Sequence, residues 1–147
     1  MVTHEFKSKI WLPRPIEEVF AFFSDPANLD SITPAWLSFQ MLTPQPLEMR
    51  VGTLLDYRLR VRGFPVRWRS RITAWEPPRR FVDEQIRGPY RLWVHEHSFE
   101  IQNAGTLVRD HVRYAVPFDW LLHKPVVRPD VERIFAYRTK CLQRRFG

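Results

Sequence analysis

Apolar and polar residues alternate with a period of two along most of this chain. Because side chains on a strand point alternately to its two faces, such runs predict half-buried strands. His4, Phe6, Ser8, Ile10 and Leu12 share one side of a first strand, which Pro13 and Pro15 stop. The period then changes. Ile16, Val19, Phe20 and Phe23 recur at spacings of three and four, the stripe of a short helix. Pro15 suits its first turn, and Glu17 and Glu18 sit near its positive end. Residues 24–30, entered through Asp25-Pro26, predict a second helical piece closed by Thr33-Pro34.

Residues 36–41 read as a second strand ended by Pro44 and Pro46. Residues 53–62 and 65–75 form a hairpin about the turn Gly63-Phe-Pro-Val66. Strands follow at 81–87, 92–102 and 106–116, separated by Gly88-Pro89 and Asn103-Ala-Gly105. Residues 117–129 are expected to be a loop carrying Trp120, Leu121 and Leu122. A long helix runs from Pro129 to about Arg145, its inward stripe being Val131, Ile134, Phe135, Arg138 and Leu142. The order β-α-α, six strands, then α predicts an α+β fold: a seven-stranded curved antiparallel sheet wrapped around the last helix.

Composition narrows the class. A chain of 147 residues, 44% hydrophobic, is expected to form one domain with a real core. Eleven Phe and six Trp exceed what a tight core needs, so Trp36, Tyr57, Trp68, Trp93, Phe99 and Tyr114 are candidates to line a pocket. The competing reading is bulky core packing. One cysteine, Cys141, leaves no internal disulfide and implies a reducing compartment. The first residues have no apolar leader core, and no run approaches the ~20 apolar residues of a membrane span. A cytoplasmic, bacterial-type protein is expected.

The net charge is +7 and most of the cation is arginine. Arg58, Arg60, Arg62, Arg67, Arg69 and Arg71 alternate with apolar residues, so the 58–71 hairpin has a wet arginine face. That face suits an anionic membrane or acidic protein surface, or is simply solvated. The arginines are not interleaved with exposed aromatics, and no helix-turn-helix or zinc-knuckle spacing is present, so no specific nucleic acid is expected.

The most informative stretch is 91–101. Trp93, His95, His97, Phe99 and Ile101 share a face, so two imidazoles lie among large apolar groups. Buried polar groups need partners. Taking Ile101 opposite Thr106 puts His97 across from Asp110, His95 from Val112 and Trp93 from Tyr114. Taking Trp75 opposite Arg80 puts Ala74 across from Phe81, Ile72 from Asp83 and Ser70 from Gln85. Across the looser Gly88-Pro89 turn, taking Gln85 beside Trp93 puts Asp83 beside His95. On the outer face Arg71 falls beside Glu84 and Glu96 beside His111. The inner face thus carries a polar belt of Asp83, His95, His97 and Asp110, with Arg138 facing it from the helix. The belt can recognise a ligand's polar or anionic head, act as a structural network, or supply a general base, His97 oriented by Asp110. His-x-His on a strand is also a metal-ligand spacing, with Asp83 or Asp110 as a third donor; with no further Cys or His nearby, no metal and no cofactor is expected. There is no Gly-x-Ser-x-Gly, and Cys141 lies late in a helix, far from any activating feature.

Four segments carry a family resemblance: Pro15-Ile-Glu-Glu-Val-Phe-Ala-Phe-Phe-Ser-Asp-Pro26, Trp75-Glu-Pro-Pro78, Gly88-Pro-Tyr-Arg-Leu-Trp93 and Ile134-Phe-Ala-Tyr-Arg138. They are similar to the helix-grip (SRPBCC) superfamily of START lipid-transfer domains, pollen allergens and polyketide cyclases. Within it the chain most resembles a bacterial ligand-binding group. The pollen-allergen glycine-rich loop is replaced by Thr43-Pro-Gln-Pro-Leu-Glu-Met-Arg-Val-Gly52. The resemblance implies a cavity between sheet and last helix that holds a small apolar or amphipathic ligand of the lipid, polyketide, quinone or aromatic-acid class. Tyr57, Trp68, Asp83, Trp93, His95, His97, Phe99, Asp110, Tyr114 and Arg138 are the residues expected to meet it.

Overall fold

The computed structural model describes residues 1–45 and 47–147. Seven strands form one antiparallel sheet: β1 (His4–Leu12), β2 (Gln40–Met41), β3 (Leu54–Val61), β4 (Phe64–Glu76), β5 (Arg80–Arg87), β6 (Leu92–Gln102) and β7 (Gly105–Ala115). Their spatial order is β1-β7-β6-β5-β4-β3-β2. Helix α1 (Ile16–Phe23) follows β1. Helix α2 (Asp119–Leu122), a π-helical turn (His123–Val127) and the long α3 (Arg128–Phe146) follow β7. This is the α+β helix-grip architecture.

Two of the hairpins close tightly. Val61 pairs with Phe64, so the turn is Arg62-Gly63, two residues earlier than expected. Both turn residues have positive φ, 50° and 84°, the conformation whose twist matches the flanking strands. Gly63 tolerates it without a Cβ clash. Phe64 and Pro65 therefore belong to β4. Gln102 pairs with Gly105 around Asn103-Ala104, and the expected β6–β7 register holds from Ile101↔Thr106 to Trp93↔Tyr114.

The β4–β5 register needed correction at its turn. Glu76, not Trp75, pairs with Arg80, so Ala74 lies opposite Val82 and Trp75 opposite Phe81. An irregularity between Ile72 and Ala74 absorbs the difference and restores Ile72↔Asp83, Ser70↔Gln85 and Arg71↔Glu84. A bulge inserts one unpaired residue, so the parity of the inner face survives beyond it.

Three further expectations changed. The second helical piece is a chain of 3-10 turns, Pro26–Asn28, Asp30–Ile32 and Ala35–Leu37, and Trp36 sits in the last of them rather than in a strand. The second strand is only two residues long. The strand stop assigned to Pro46 lies outside the described residues. Finally, the 117–129 segment is helical from Asp119 onward rather than a loop. Pro125 and Pro129 lack the N–H groups that α-type bonds would need there. The Arg128 N–H instead reaches the His123 carbonyl, five residues back.

The core has two parts. One joins α1 to the far half of α3 through Val19, Phe20, Phe81, Phe99, Val108 and Leu142. The other joins the start of α3 to β7 through Val112, Tyr114, Val116, Val131 and Phe135. Helix α3 buries Val131, Phe135, Arg138, Leu142 and Phe146. An arginine thus occupies the centre of its apolar stripe. Among the described residues no helix is long and apolar enough to cross a membrane.

Candidate functional site

The polar belt lies at mid-sheet. Asp83 on β5, His95 and His97 on β6 and Asp110 on β7 all point inward, because inner and outer residues alternate on each strand. The backbone register sets Asp83 beside His95 and His97 beside Asp110. The side chains bond on the diagonal. His95 Nε2–H donates to Asp110 Oδ1 at 2.7 Å, and His97 Nε2–H donates to Asp83 Oδ2 at 2.6 Å. The carboxylate that holds His97 is therefore Asp83, not Asp110. An imidazole is long enough to pass its directly opposite neighbour and reach the next one across.

Arg138 descends on the belt from α3. Its Nη2 donates to Asp110 Oδ1 at 3.1 Å and lies 3.5 Å from His97 Nδ1. Nε is buried with no hydrogen-bond partner, and Nη1 makes no hydrogen bond to the described residues. The guanidinium carbon lies 5.2 Å from the Phe23 ring centroid and 5.7 Å from that of Phe135, so part of its remaining contact is cation–π.

Burial decides the protonation of His97. Removal from water, with the neighbouring His95 and Arg138, outweighs the bond to Asp83 and pulls the imidazole down to about 4. Burial would raise the Asp110 carboxyl, but Arg138 and His95 outweigh it and hold the group well below the carboxylate range. Burial likewise opposes the Asp83 charge, and the bond from His97 prevails, leaving that carboxyl lowered too. At neutral pH the belt therefore contains two carboxylates, one guanidinium and a neutral His97.

Aromatic rings extend the belt on both sides. Phe81 stacks on His97 at 4.1 Å, and His97 on His95 at 3.7 Å. Beyond them Tyr57, Trp68, Tyr90 and Trp93 form a connected group, with Trp68 and Trp93 edge-to-face at 5.5 Å. The Trp68 indole N–H is satisfied by Ser70 Oγ at 3.0 Å. Burial raises the Tyr57 and Tyr90 hydroxyls, which stay protonated.

Between sheet and α3 lies a largely apolar cavity of about 710 Å³, within the range of small-molecule sites. Of the residues read from sequence, Tyr57, Trp68, Asp83, Trp93, His95, His97 and Arg138 line it, as does Trp36. Three stand elsewhere. Asp110 lies behind His95 and Arg138, bonded to both. Phe99 packs on Phe20, Phe23 and Phe81 in the core. The Tyr114 hydroxyl is hydrogen-bonded to His123 Nε2 at 2.8 Å. Parity identifies the inner face, but helices cover part of that face. Tyr90 and Phe39 are lining residues that sequence reading missed, because they lie in irregular segments without period. Phe135 was read only as helix stripe.

Solvent-exposed lining residues mark where the cavity reaches the surface: Asp25, Trp36, Arg62, Gly63 and Arg133. Arg62 forms a two-pronged bond to Asp130 at the start of α3, at 2.9 and 3.2 Å, tying the hairpin tip to the helix. Arg133 lies over the Trp36 ring at 4.8 Å. On the outer face Arg69 is neutralised by Asp56. Arg58, Arg60, Arg67 and Arg71 have no acidic partner among the described residues. Glu84 does not bond Arg71 despite its register, and Glu96 is taken by Arg80 instead of His111.

Among the described residues two groups bring metal-ligating atoms together: Asp83, His95 and His97, and, away from the cavity, His4, Asp119 and His123. In each, the imidazoles stack face to face, at 3.7 Å and 23° and at 3.4 Å and 5°. An ion held in the plane of one ring would lie out of the plane of the other. As arranged, the rings do not converge on a common point, and neither group fits a metal.

The comparisons agree with this architecture. The ginseng major latex-like protein 151 of Panax ginseng superposes with a TM-score of 0.73 at 12% identity, over 98% of this chain and 97% of that one. The Zhui aromatase/cyclase of Streptomyces sp. R1128 gives 0.74 at 16% identity, over 96% and 92%. A Thermus thermophilus protein gives 0.70 at 19% identity, over 98% and 100%. At these identities the likeness is one of fold. No curated protein sequence matches the chain. The family described as polyketide cyclase / dehydrase and lipid transport matches residues 12–138, and with most of its length so matched, the chain belongs to that family.

Proposed function

We propose that this protein binds a small, largely apolar ligand in the cavity, with the ligand's polar head on the belt beside His95 and Arg138. One observation carries the reading. Arg138 is buried in an apolar stripe, yet among the described residues only one of its three guanidinium nitrogens finds a hydrogen-bond partner. A buried cation is costly unless its donors are used. A ligand oxygen would use them. His95 Nδ1, also without a partner among the described residues, offers a second contact.

The free donors describe the head group. Among the described residues Arg138 Nε and Nη1 have no acceptor, so a ligand oxygen, whether hydroxyl, carbonyl or carboxylate, suits the belt. Native mass spectrometry of protein purified from its own host tests the reading: a retained small molecule is expected. Filling the cavity by Ile134→Trp should abolish its retention. No retained molecule, together with no quenching of Trp68 and Trp93 fluorescence by hydroxylated or quinoid aromatics, would refute it.

A second reading, a cyclase- or dehydratase-type enzyme, rests on the His95–Asp110 pair. In His97 Nε2 bonds Asp83 and Nδ1 faces Arg138. In His95 Asp110 orients one nitrogen and leaves the other free, the arrangement of a general base. The base role first assigned to His97 thus passes to His95. His95→Gln should then abolish turnover of an enolisable polyketide-like substrate while leaving its binding within about threefold. Turnover that survives the substitution excludes the reading.

A further inference from the structure

The antiparallel sheet brings three chain segments to one end: the β3–β4 tip at Arg62-Gly63, the β5–β6 connection at 88–91, and the segment that follows β7. All three contribute to the cavity lining, through Arg62, Tyr90, Pro117 and Leu122. The same end presents large apolar side chains to solvent. Trp120 is 84% exposed, Phe64 74%, Phe118 65% and Leu121 54%. Phe118, Trp120 and Leu121 lie between two lining residues, Pro117 and Leu122, so this patch borders the cavity.

These side chains stand on a fixed platform. His4 Nε2 bonds Asp119 at 2.6 Å, Tyr114 bonds His123 at 2.8 Å, and His4 and His123 stack at 3.4 Å. Phe118 itself adopts a left-handed backbone conformation, φ 53°, unusual for a bulky residue. The chain is thus held in place while it turns Trp120 and Leu121 outward, where they contribute nothing to the core.

Cations lie toward the same end of the sheet. Arg60, Arg67, Arg87, Arg91, Arg113 and Lys124 are exposed and have no acidic partner among the described residues. Arg58 and Arg67 stand directly opposite each other across β3 and β4. Like charges so placed oppose sheet pairing, and an anionic surface would relieve them. Exposed Trp, Phe and Leu at the same end as unpartnered Arg and Lys match the chemistry of an anionic bilayer interface, apolar groups at the acyl boundary and cations at the head groups.

We infer that this end of the protein docks on an anionic phospholipid surface, inserting Phe64, Phe118, Trp120 and Leu121 beside the cavity so that an amphipathic ligand passes between bilayer and cavity. The inference goes beyond the cavity reading, because docking is measured without any ligand. In co-sedimentation with vesicles, the protein should bind phosphatidylcholine vesicles that contain phosphatidylglycerol and not phosphatidylcholine alone. Binding should weaken steeply with salt. Trp120→Ser with Leu121→Ser, both at exposed positions, should lower affinity at least roughly tenfold without changing the thermal midpoint. If that variant is unstable, Arg67→Gln with Arg91→Gln tests the electrostatic half alone and should also weaken binding. Equal binding to both vesicle types, no binding, or unchanged affinity in a folded variant overturns the inference. So does a concentration-dependent dimer that the Trp120 and Leu121 changes abolish, which would assign the patch to a second copy of the chain. Vesicle binding that fails while the cavity still takes up ligand would leave the cavity reading intact.

Discussion

Replacing Arg138 by Met separates a structural clamp from a ligand anchor. Methionine keeps the apolar stem between Phe23 and Phe135 and removes the charge. Asp110 then loses the cation that does most to hold its carboxyl down, and keeps the His95 N–H. Removing one partner of a buried pair typically costs ~3–5 kcal/mol. The surviving His95 bond, and the freedom of Asp110 to take up a proton, place this case near ~3 kcal/mol. For a chain of this size that is a fall of about 6–12 °C in Tm. The pH dependence is diagnostic. In the parent, Asp110 stabilises the fold above its unfolded value near ~4 and loses that contribution below it. In the variant, burial raises the carboxyl, so the folded chain binds the proton more tightly than the unfolded one. Stability of the variant then falls as pH rises above ~4. Urea unfolding followed by circular dichroism at pH 5 and pH 8 should show a deficit that widens at pH 8. Adding Asp110→Asn should recover much of the loss, since the stranded charge is gone. A deficit below ~0.5 kcal/mol at both pH values would refute the clamp, and a parallel loss of ligand affinity would then identify Arg138 as an anchor.

Three other outcomes follow from the same geometry. Because His97 is held at about 4, and its unfolded value is 6.5, the folded chain resists the proton that the unfolded chain takes up between those values, and the fold should lose about 3 kcal/mol as pH falls through that window. His97→Gln should flatten the profile there; an unchanged profile would show that His97 does not titrate as argued. Phe99, buried against Phe20, Phe23 and Phe81, should cost ~3–5 kcal/mol in denaturant unfolding when replaced by Ala, with a loss under ~1 kcal/mol contradicting its core placement. Tyr114→Phe leaves His123 without its partner and should cost about 1 kcal/mol, measured by thermal melting, while ligand retention in the cavity is unchanged; a loss of retention would place Tyr114 in the site after all.

Much of this molecule is legible one strand at a time. Alternation at 92–102 put His95 and His97 on the inner face, and the short turn at Asn103-Ala104 carried that register to Asp110 and Trp93↔Tyr114 without error. A side-chain period of two and a tight turn are local properties, so sequence determines them. The stripe of α3 is equally local, and it placed Arg138 inside. Tertiary structure decided the rest. The reach of an imidazole across the sheet gave His97 to Asp83 and His95 to Asp110, the opposite of the pairing that register alone suggests. A bulge near Ala74 repaired a register that turn counting had misplaced. Helix α1 and the far half of α3 covered Phe99, and His123 took the Tyr114 hydroxyl, so sharing a face with the cavity did not bring either residue to it. The segment after β7 has no apolar period, because Phe118, Trp120 and Leu121 point to solvent while Leu122, Val126 and Val127 face the cavity. It is held by contacts with β1, more than a hundred residues away in sequence, as in His4 with Asp119. Alternation is set by each residue's neighbours in the chain, whereas partners are set by whichever group the closed fold leaves within reach.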